Sequence, residues 1–200
     1  MPENKKKNRK NKKNKKNTKK TVRMSRLSRT PHGLRPSGDG WFVLNAKDAV
    51  WRVNSVFGAV TSFEGQARFP QYGINLRVIG PGQPNCHYHA ESNQEDFLVL
   101  SGRCRLLIEE QEIPLKAWDF VHCPPWTNHV FVGTGRGPCV ILMTGTRLPH
   151  EKVHYPRSPL ALKYHAGVEV PTDSPRVSYA NVEPRKPAPP PAPFARAKGQ

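Results

Sequence analysis

Residues Gly82 to Gly102 read GQPNCHYHAESNQEDFLVLSG. The stretch starts in turn-forming Gly, Pro and Asn, passes a His-x-His pair at His87 and His89, and reaches Glu95. It then runs through Phe97-Leu98-Val99-Leu100 before Ser101-Gly102 turns the chain. On a strand, residues two apart point to the same face, so a strand here aims His87 and His89 together. Glu95 opens the next strand. Imidazoles and a carboxylate converging on one point are donors for a mononuclear divalent metal. Imidazole suits Fe, Mn, Ni, Cu and Zn, and a carboxylate shifts the preference toward the harder of these. Alone, a His-x-His pair is a short motif that exposed strands also carry by chance.

The flanking sequence supplies the context. From Trp41 to Arg147, strand-length apolar runs are cut by turn residues every 8–12 positions, with no sustained helical period. Gly73 to Gly80 alternates, with Ile74, Leu76 and Val78 on one face and Asn75 and Arg77 on the other. Cys104, Leu106 and Ile108 share a face, Glu109 to Glu112 form a charged hairpin tip, and Phe120–His122, Asn128–Val132 and Cys139–Met143 complete the series. Many short strands with regular turns predict an all-β barrel or sandwich. His129 lies on the strand at 128–132. By parity Phe97 and Val99 share the face of Glu95, and Phe131 that of His129. These predict a largely apolar cavity, with Trp126 over its mouth and Arg77 and Arg105 pointing outward. Ser158 as N-cap, Pro159 at the first position and Gly167 as terminator predict one late helix.

The charge lies elsewhere. The chain has 200 residues with 32 Lys+Arg against 15 Asp+Glu, a net charge of +17. Residues 1–30 hold fourteen basic residues and one acid, or +13. Residues 31–180 are near neutral at +1, and the last twenty add +3. The Lys/Asn-rich head has nothing apolar to bury and is expected to be disordered. It reads as a solvated tail or a start assigned upstream of Met24, and less readily as a nucleic-acid or lipid anchor. The Pro-rich tail is expected to be extended. The expected division is a basic disordered head at 1–30, a barrel at 41–147, an extension with a short helix at 148–180, and the tail at 181–200. No run is long and apolar enough for a membrane span, and neither a secretory signal nor a disulfide framework is readable. A cytoplasmic protein is the expectation.

Two segments together are more specific than the His pair. Gly82–Gly102 resembles the first cupin motif: His87 and His89 match, and Glu95 stands seven residues before Gly102. The segment WDFVHCPPWTNHVFV resembles the second, with Pro124 five residues before His129. Fifteen residues separate Gly102 from Trp118, as in small cupins. The resemblance covers roughly Trp41 to Arg147. It implies a small single-domain bacterial cupin of the type-2 conserved-barrel kind, a double-stranded β-helix or jelly roll. It also implies metal ligands at His87, His89, Glu95 and His129.

The chain departs from the family pattern in places. Five residues separate His89 from Glu95, one or two more than usual, so a bulge is required. Otherwise Glu91, which shares parity with both histidines, takes the place of Glu95. Trp118 and Trp126 stand where the second motif has glycines. A bulky residue adopts positive φ only at a cost of about 1–2 kcal/mol, so those turns are expected to take another geometry. His122 reads as a surface or core histidine rather than a donor near the metal.

The resemblance implies one divalent ion per barrel (Fe, Mn, Ni or Zn) and a small-molecule ligand or substrate. The expected function is an oxygenase or isomerase acting on a small, largely apolar molecule. The alternative is a non-enzymatic ligand-binding or sensor cupin, held to nucleic acid by the basic head. Turnover is left open, since fold does not choose among these. The apolar excess at Leu98, Leu100 and Leu107 suggests a homodimer.

Overall fold

In the computed structural model, which describes residues 21–195, a hairpin of β1 (Leu27–Thr30) and β2 (Gly33–Pro36) precedes one 3-10 turn at Ala46–Asp48. Then come β3 (Trp51–Asn54), β4 (Gly58–Thr61), β5 (Tyr72–Ile79), β6 (Ala90–Glu91) and β7 (Glu95–Ser101). They are followed by β8 (Arg103–Ile108), β9 (Gln111–Lys116), β10 (Phe120–Cys123), β11 (His129–Thr134) and β12 (Cys139–Thr146). The C-terminal part holds β13 (Val153–His154), helices α1 (Pro159–Lys163) and α2 (Pro175–Ser178), and β14 (Lys186–Ala188). The expected strands are all present. So is the expected helix, its N-cap Ser158 side chain accepting a hydrogen bond from the Ala161 amide. The chain leaves the helix after Lys163, before Gly167, with His165 at φ 54. The same Ser-Pro signature starts α2, which the sequence reading omitted.

Two antiparallel sheets face each other. One runs β10-β7-β12-β5-β4-β3-β14 and the other β11-β8-β9, with β6 and β13 forming a short ribbon beside β11. Between the sheets, Ile79, Phe97, Val99, Leu106, Phe131, Ile141 and Met143 form the interior core.

A second core lies outside the larger sheet. Leu76, Val78 and Val140 point away from the interior and pack with Trp51 and Ala59 of the neighbouring strands β3 and β4. Phe194 closes this layer, its ring 5.2 Å from that of Trp51. The Pro-rich tail is therefore not separate from the fold. Lys186–Ala188 pairs with Trp51–Val53 as an edge strand, where a proline such as Pro187 is tolerated. At the other end, residues 27–30, counted in the disordered head, pair with Gly33–Pro36; residues 1–20 lie outside the described residues. Leu107, expected on an exposed dimer face, is fully buried in a third cluster with Ala161 of α1.

Arg147, just past β12, is fixed by a two-pronged ion pair with Glu64, its Nη2 lying 3.2 Å from Oε2. The same guanidinium donates to the Phe69 carbonyl, and the Phe69 amide donates to Glu64 Oε1. Burial alone would raise the Glu64 carboxyl, but the Arg147 hydrogen bonds and charge hold it below its usual value. The unfolded carboxyl titrates near 4.3, so this stabilisation is present above that pH and is lost as pH falls through the lower folded value. Urea unfolding between pH 6 and 3 should show a shallower acid-side loss in Glu64→Gln than in the wild type. Identical slopes would show that this pair carries none of the acid sensitivity.

Candidate metal centre

The segment before β6 crosses to β11 through one reciprocal backbone pair. The His129 amide donates to the His89 carbonyl at 2.9 Å, and the His89 amide to the His129 carbonyl at 3.3 Å. Residues directly opposite each other in an antiparallel pair share a face, so the two imidazoles lie side by side with ring centroids 5.1 Å apart. Each ring is turned the same way. His89 Nδ1 lies 2.7 Å from the His87 carbonyl, and His129 Nδ1 lies 3.0 Å from the Thr127 carbonyl. Bonded so, each Nδ1 carries the proton and each Nε2 is left to face the centre, the arrangement that orients metal-ligating histidines.

Glu95 arrives from the opposite sheet, at the first position of β7, with its Oε2 3.5 Å from His129 Nε2. One donor atom each from His89, Glu95 and His129 lie within 4.8 Å of one another. Glu91 adds a second carboxylate, its Oε1 3.5 Å from His89 Nε2. Both acids weighed from the sequence thus reach the histidines: Glu95 belongs to the three-residue cluster, while Glu91 touches it through His89. Gly145 pairs with Glu95 across β12 and β7, and its bare Cα lies alongside the Glu95 side chain.

His87 is not brought to this point. Residues 85–88 are bent rather than strand, so the two-residue alternation that would align it with His89 does not apply. Its ring stacks on Tyr179 at 4.7 Å with an interplanar angle of 2°, and its Nδ1 lies 2.9 Å from Ser178 Oγ. The His87 amide donates to the Tyr179 hydroxyl. This histidine holds the C-terminal segment against the barrel.

Electrostatics divide the cluster. Burial, then the charge of His89, pushes His129 down to about 4, leaving a neutral imidazole with a free lone pair. Burial and the charge of Glu91 lift Glu95 to about 7. Burial works against the charged forms of both His89 and Glu91; the Cys86 thiol 3.7 Å from Nδ1, then Glu91 and Glu95, raise His89 all the same, and the contact with His89 lowers Glu91.

These groups open into a cavity of about 290 Å³. Its lining is polar, contrary to expectation: Asn75, Arg77, Asn85, Thr144, Tyr155 and Tyr179 join the His and Glu residues. The reversal comes from β5. Arg77 pairs with Ile141 and Asn75 with Met143, whose side chains belong to the interior core, so the polar face of β5 turns inward. Its apolar face is buried outside, beside Trp51. Burial and the like charge of Arg185 lower the Arg77 guanidinium to about 10.

Trp126 lies outside this cavity, in a depression with Lys152 and Asp173. Trp118 and Trp126 do adopt left-handed backbone, φ 75 and 68, correcting the expectation of another geometry. Backbone bonds hold both turns, from the Trp118 amide to the Val99 carbonyl and from the Trp126 amide to the Glu91 carbonyl, each 2.7 Å. His122 bonds Asp96 at 2.6 Å on the exposed side, away from the cavity lining.

Residues 75–145 match the cupin-domain family model. They form a cupin domain. Among solved structures, the chain is similar to a putative sugar phosphate isomerase from Acidithiobacillus ferrooxidans (33% identity, 42% of this chain and 55% of that one, TM-score 0.40). This chain therefore spans only about half of that relative's length. It is also similar to a sugar phosphate isomerase of the cupin superfamily from Silicibacter pomeroyi (25% identity, 56% and 69% covered, TM-score 0.44). A third similarity is to the polyketide cyclase RemF from Streptomyces resistomycificus (12% identity, 53% and 79% covered, TM-score 0.47). No curated protein sequence matches the chain.

Tyr155 and Tyr179 carried no signal in the sequence, because folding alone brings the extension over the cupin barrel; Asn85 was read only as part of the turn that opens the first motif. Arg77 did carry one: an arginine centred in an otherwise barrel-forming strand. Replacing His87 by Ala should leave metal uptake unchanged while lowering stability by about 1 kcal/mol through loss of the Tyr179 stack. Elemental analysis and urea unfolding check this; loss of metal in the variant would restore His87 as a ligand.

Proposed function

We propose that the cupin domain binds one divalent metal ion through His89, Glu95 and His129, with Glu91 close enough to complete the donor set or to move a proton. The observation that carries this is the common orientation of the two imidazoles. Each has Nδ1 fixed on a backbone carbonyl and Nε2 turned toward a carboxylate. Two histidine nitrogens and a carboxylate oxygen fit Fe, Mn, Ni or Zn. A bound ion would supply Lewis acidity toward an oxygen of the ligand.

The chain's own residues then set what is held there. Neutral hydrogen-bonding groups on Asn75, Asn85, Thr144 and Tyr179 suit a small polar, hydroxylated molecule better than the apolar one expected from strand parity. Phe97 packs on the His129 ring at 5.0 Å and Tyr155 on the His89 ring at 5.6 Å, so both imidazoles are backed by aromatic rings. Glu91 Oε1 lies 3.5 Å from His89 Nε2, so a carboxylate able to take or give a proton stands beside the centre. Isomerase-type proton transfer on a polar substrate is the reaction class this arrangement favours over oxygenation. No helix among the described residues is long and apolar enough to cross a membrane.

Protein expressed with Fe, Mn, Ni and Zn supplied should carry about one equivalent of metal by elemental analysis. Removing an outer partner of a metal ligand typically costs about 10–100-fold in affinity, so His89→Ala or His129→Ala should lose at least that much. Metal only at trace level in the wild type rejects the reading.

A further inference from the structure

We propose that Arg77 is the receptor for the anionic group of a small hydroxylated ligand, a carboxylate or a phosphate monoester, bound in the same cavity as the His89–Glu95–His129 cluster. The inference rests on the metal reading only for the position of the ligand's other end.

Arg77 projects from the inward face of β5 into the cavity lining. Its Nε and Nη1 are cut off from solvent, and no protein group among the described residues accepts a hydrogen bond from either. No carboxylate among the described residues forms an ion pair with it. The cavity's other arginine, Arg147, is different, being committed to Glu64. Arg185 adds a second positive charge beside Arg77. Its Nη2 reaches the Asn85 carbonyl at 3.4 Å, while its Nε is also buried without a partner.

A guanidinium with two nitrogens cut off from solvent and no counter-charge is costly, and a second guanidinium nearby makes it more so. A cavity that retains this charge is built to receive its complement. Nε with Nη2, or Nη1 with Nη2, forms a fork that binds two oxygens of a carboxylate or phosphate side by side, and each of the two unpartnered nitrogens is half of one such fork. Asn75 Oδ1, two residues along on the same face, is likewise buried with no hydrogen-bond partner. It is an acceptor, so it calls for a donor on the ligand, which a hydroxyl supplies.

The register sets the scale. Glu95 pairs with Gly145, which pairs with Gly73, whereas Arg77 pairs with Ile141. Four residues of β5 therefore separate the level of Glu95 from that of Arg77, roughly 13 Å of backbone. Long side chains reaching inward from both levels leave room for one compact molecule, consistent with the cavity of about 290 Å³. Beyond Arg77 the same face continues as Ile79 in the apolar core, so the arginine forms the floor of the polar region.

The test uses the full chain in chelator, so that no metal contributes to anion binding. Inorganic phosphate and malonate are titrated by calorimetry at low salt, with glycerol as the neutral control. Arg77→Met keeps the bulk and removes the fork; Arg77→Lys keeps the charge. The Lys-rich first twenty residues are common to all three proteins, so differences among them report the cavity. Phosphate, malonate or both should bind the wild type, and Arg77→Met should weaken that binding about 10–100-fold, with Arg77→Lys between. Metal content, measured separately, should be equal in wild type and Arg77→Met. If neither anion binds, or Arg77→Met binds as well as the wild type, the assignment is wrong. Anion binding that depends on Arg77 in a protein that takes up no metal would uphold the anion site and reject the metal reading alone. If Arg77→Met does not fold, Arg77→Gln with Arg77→Lys makes the same comparison.

Discussion

One reciprocal pair of backbone hydrogen bonds, between His89 and His129, ties the site together. It joins a bent segment to the first position of β11 and presents two imidazoles side by side. The short bonds from each Nδ1 to a carbonyl two residues earlier then fix which nitrogen faces inward. Both anchoring groups are main chain, and side chains add to them: the Cys86 sulfur lies 3.7 Å from His89 Nδ1, and Tyr155 and Phe97 back the two rings. The opposite wall is Glu95, which enters from the other sheet beside its partner Gly145.

The second organising constraint is that the larger sheet is buried on both faces. A sheet with one wet face must turn its apolar side inward. Here Trp51 and Ala59 flank Leu76 and Val78 on the outer face of the same sheet, and Phe194, Phe63 and Ala46 pack against them, so Leu76 and Val78 can be buried there. That frees Asn75 and Arg77 to face the interior, where the polar cavity requires them. The chemistry of the inside is thus set by what packs on the outside.

The same constraint explains what could be read in advance. Strand positions were legible because turns and apolar runs are local. His89, Glu95 and His129 were legible because two spaced motifs frame them. His87 was misplaced because parity holds only along a continuous strand, and residues 85–88 bend. The cavity's polarity was misread because the alternation of β5 shows two faces without saying which is inner. Tyr179 ends the extension, and Arg185 comes from a segment whose composition suggested only a proline-rich tail; nothing local says that this tail returns to β3. The left-handed Trp118 and Trp126 keep the turn geometry of glycine in a residue that must strain to adopt it, with backbone bonds holding both in place.

The layer around Trp51 also decides how far the folding unit extends. Residues 75–145 carry the recognisable domain, yet that span excludes β3, β4, β14 and Phe194. Trimmed to it, the chain would expose Leu76, Val78 and Val140, each losing on the order of 1.5–3 kcal/mol of burial. It would also leave β5 with a bare edge open to pairing with another chain. β3, β4, β14 and Phe194 therefore belong to the same packed unit as residues 75–145, and a fragment cut at residue 145 loses the side chains that seal its outer face.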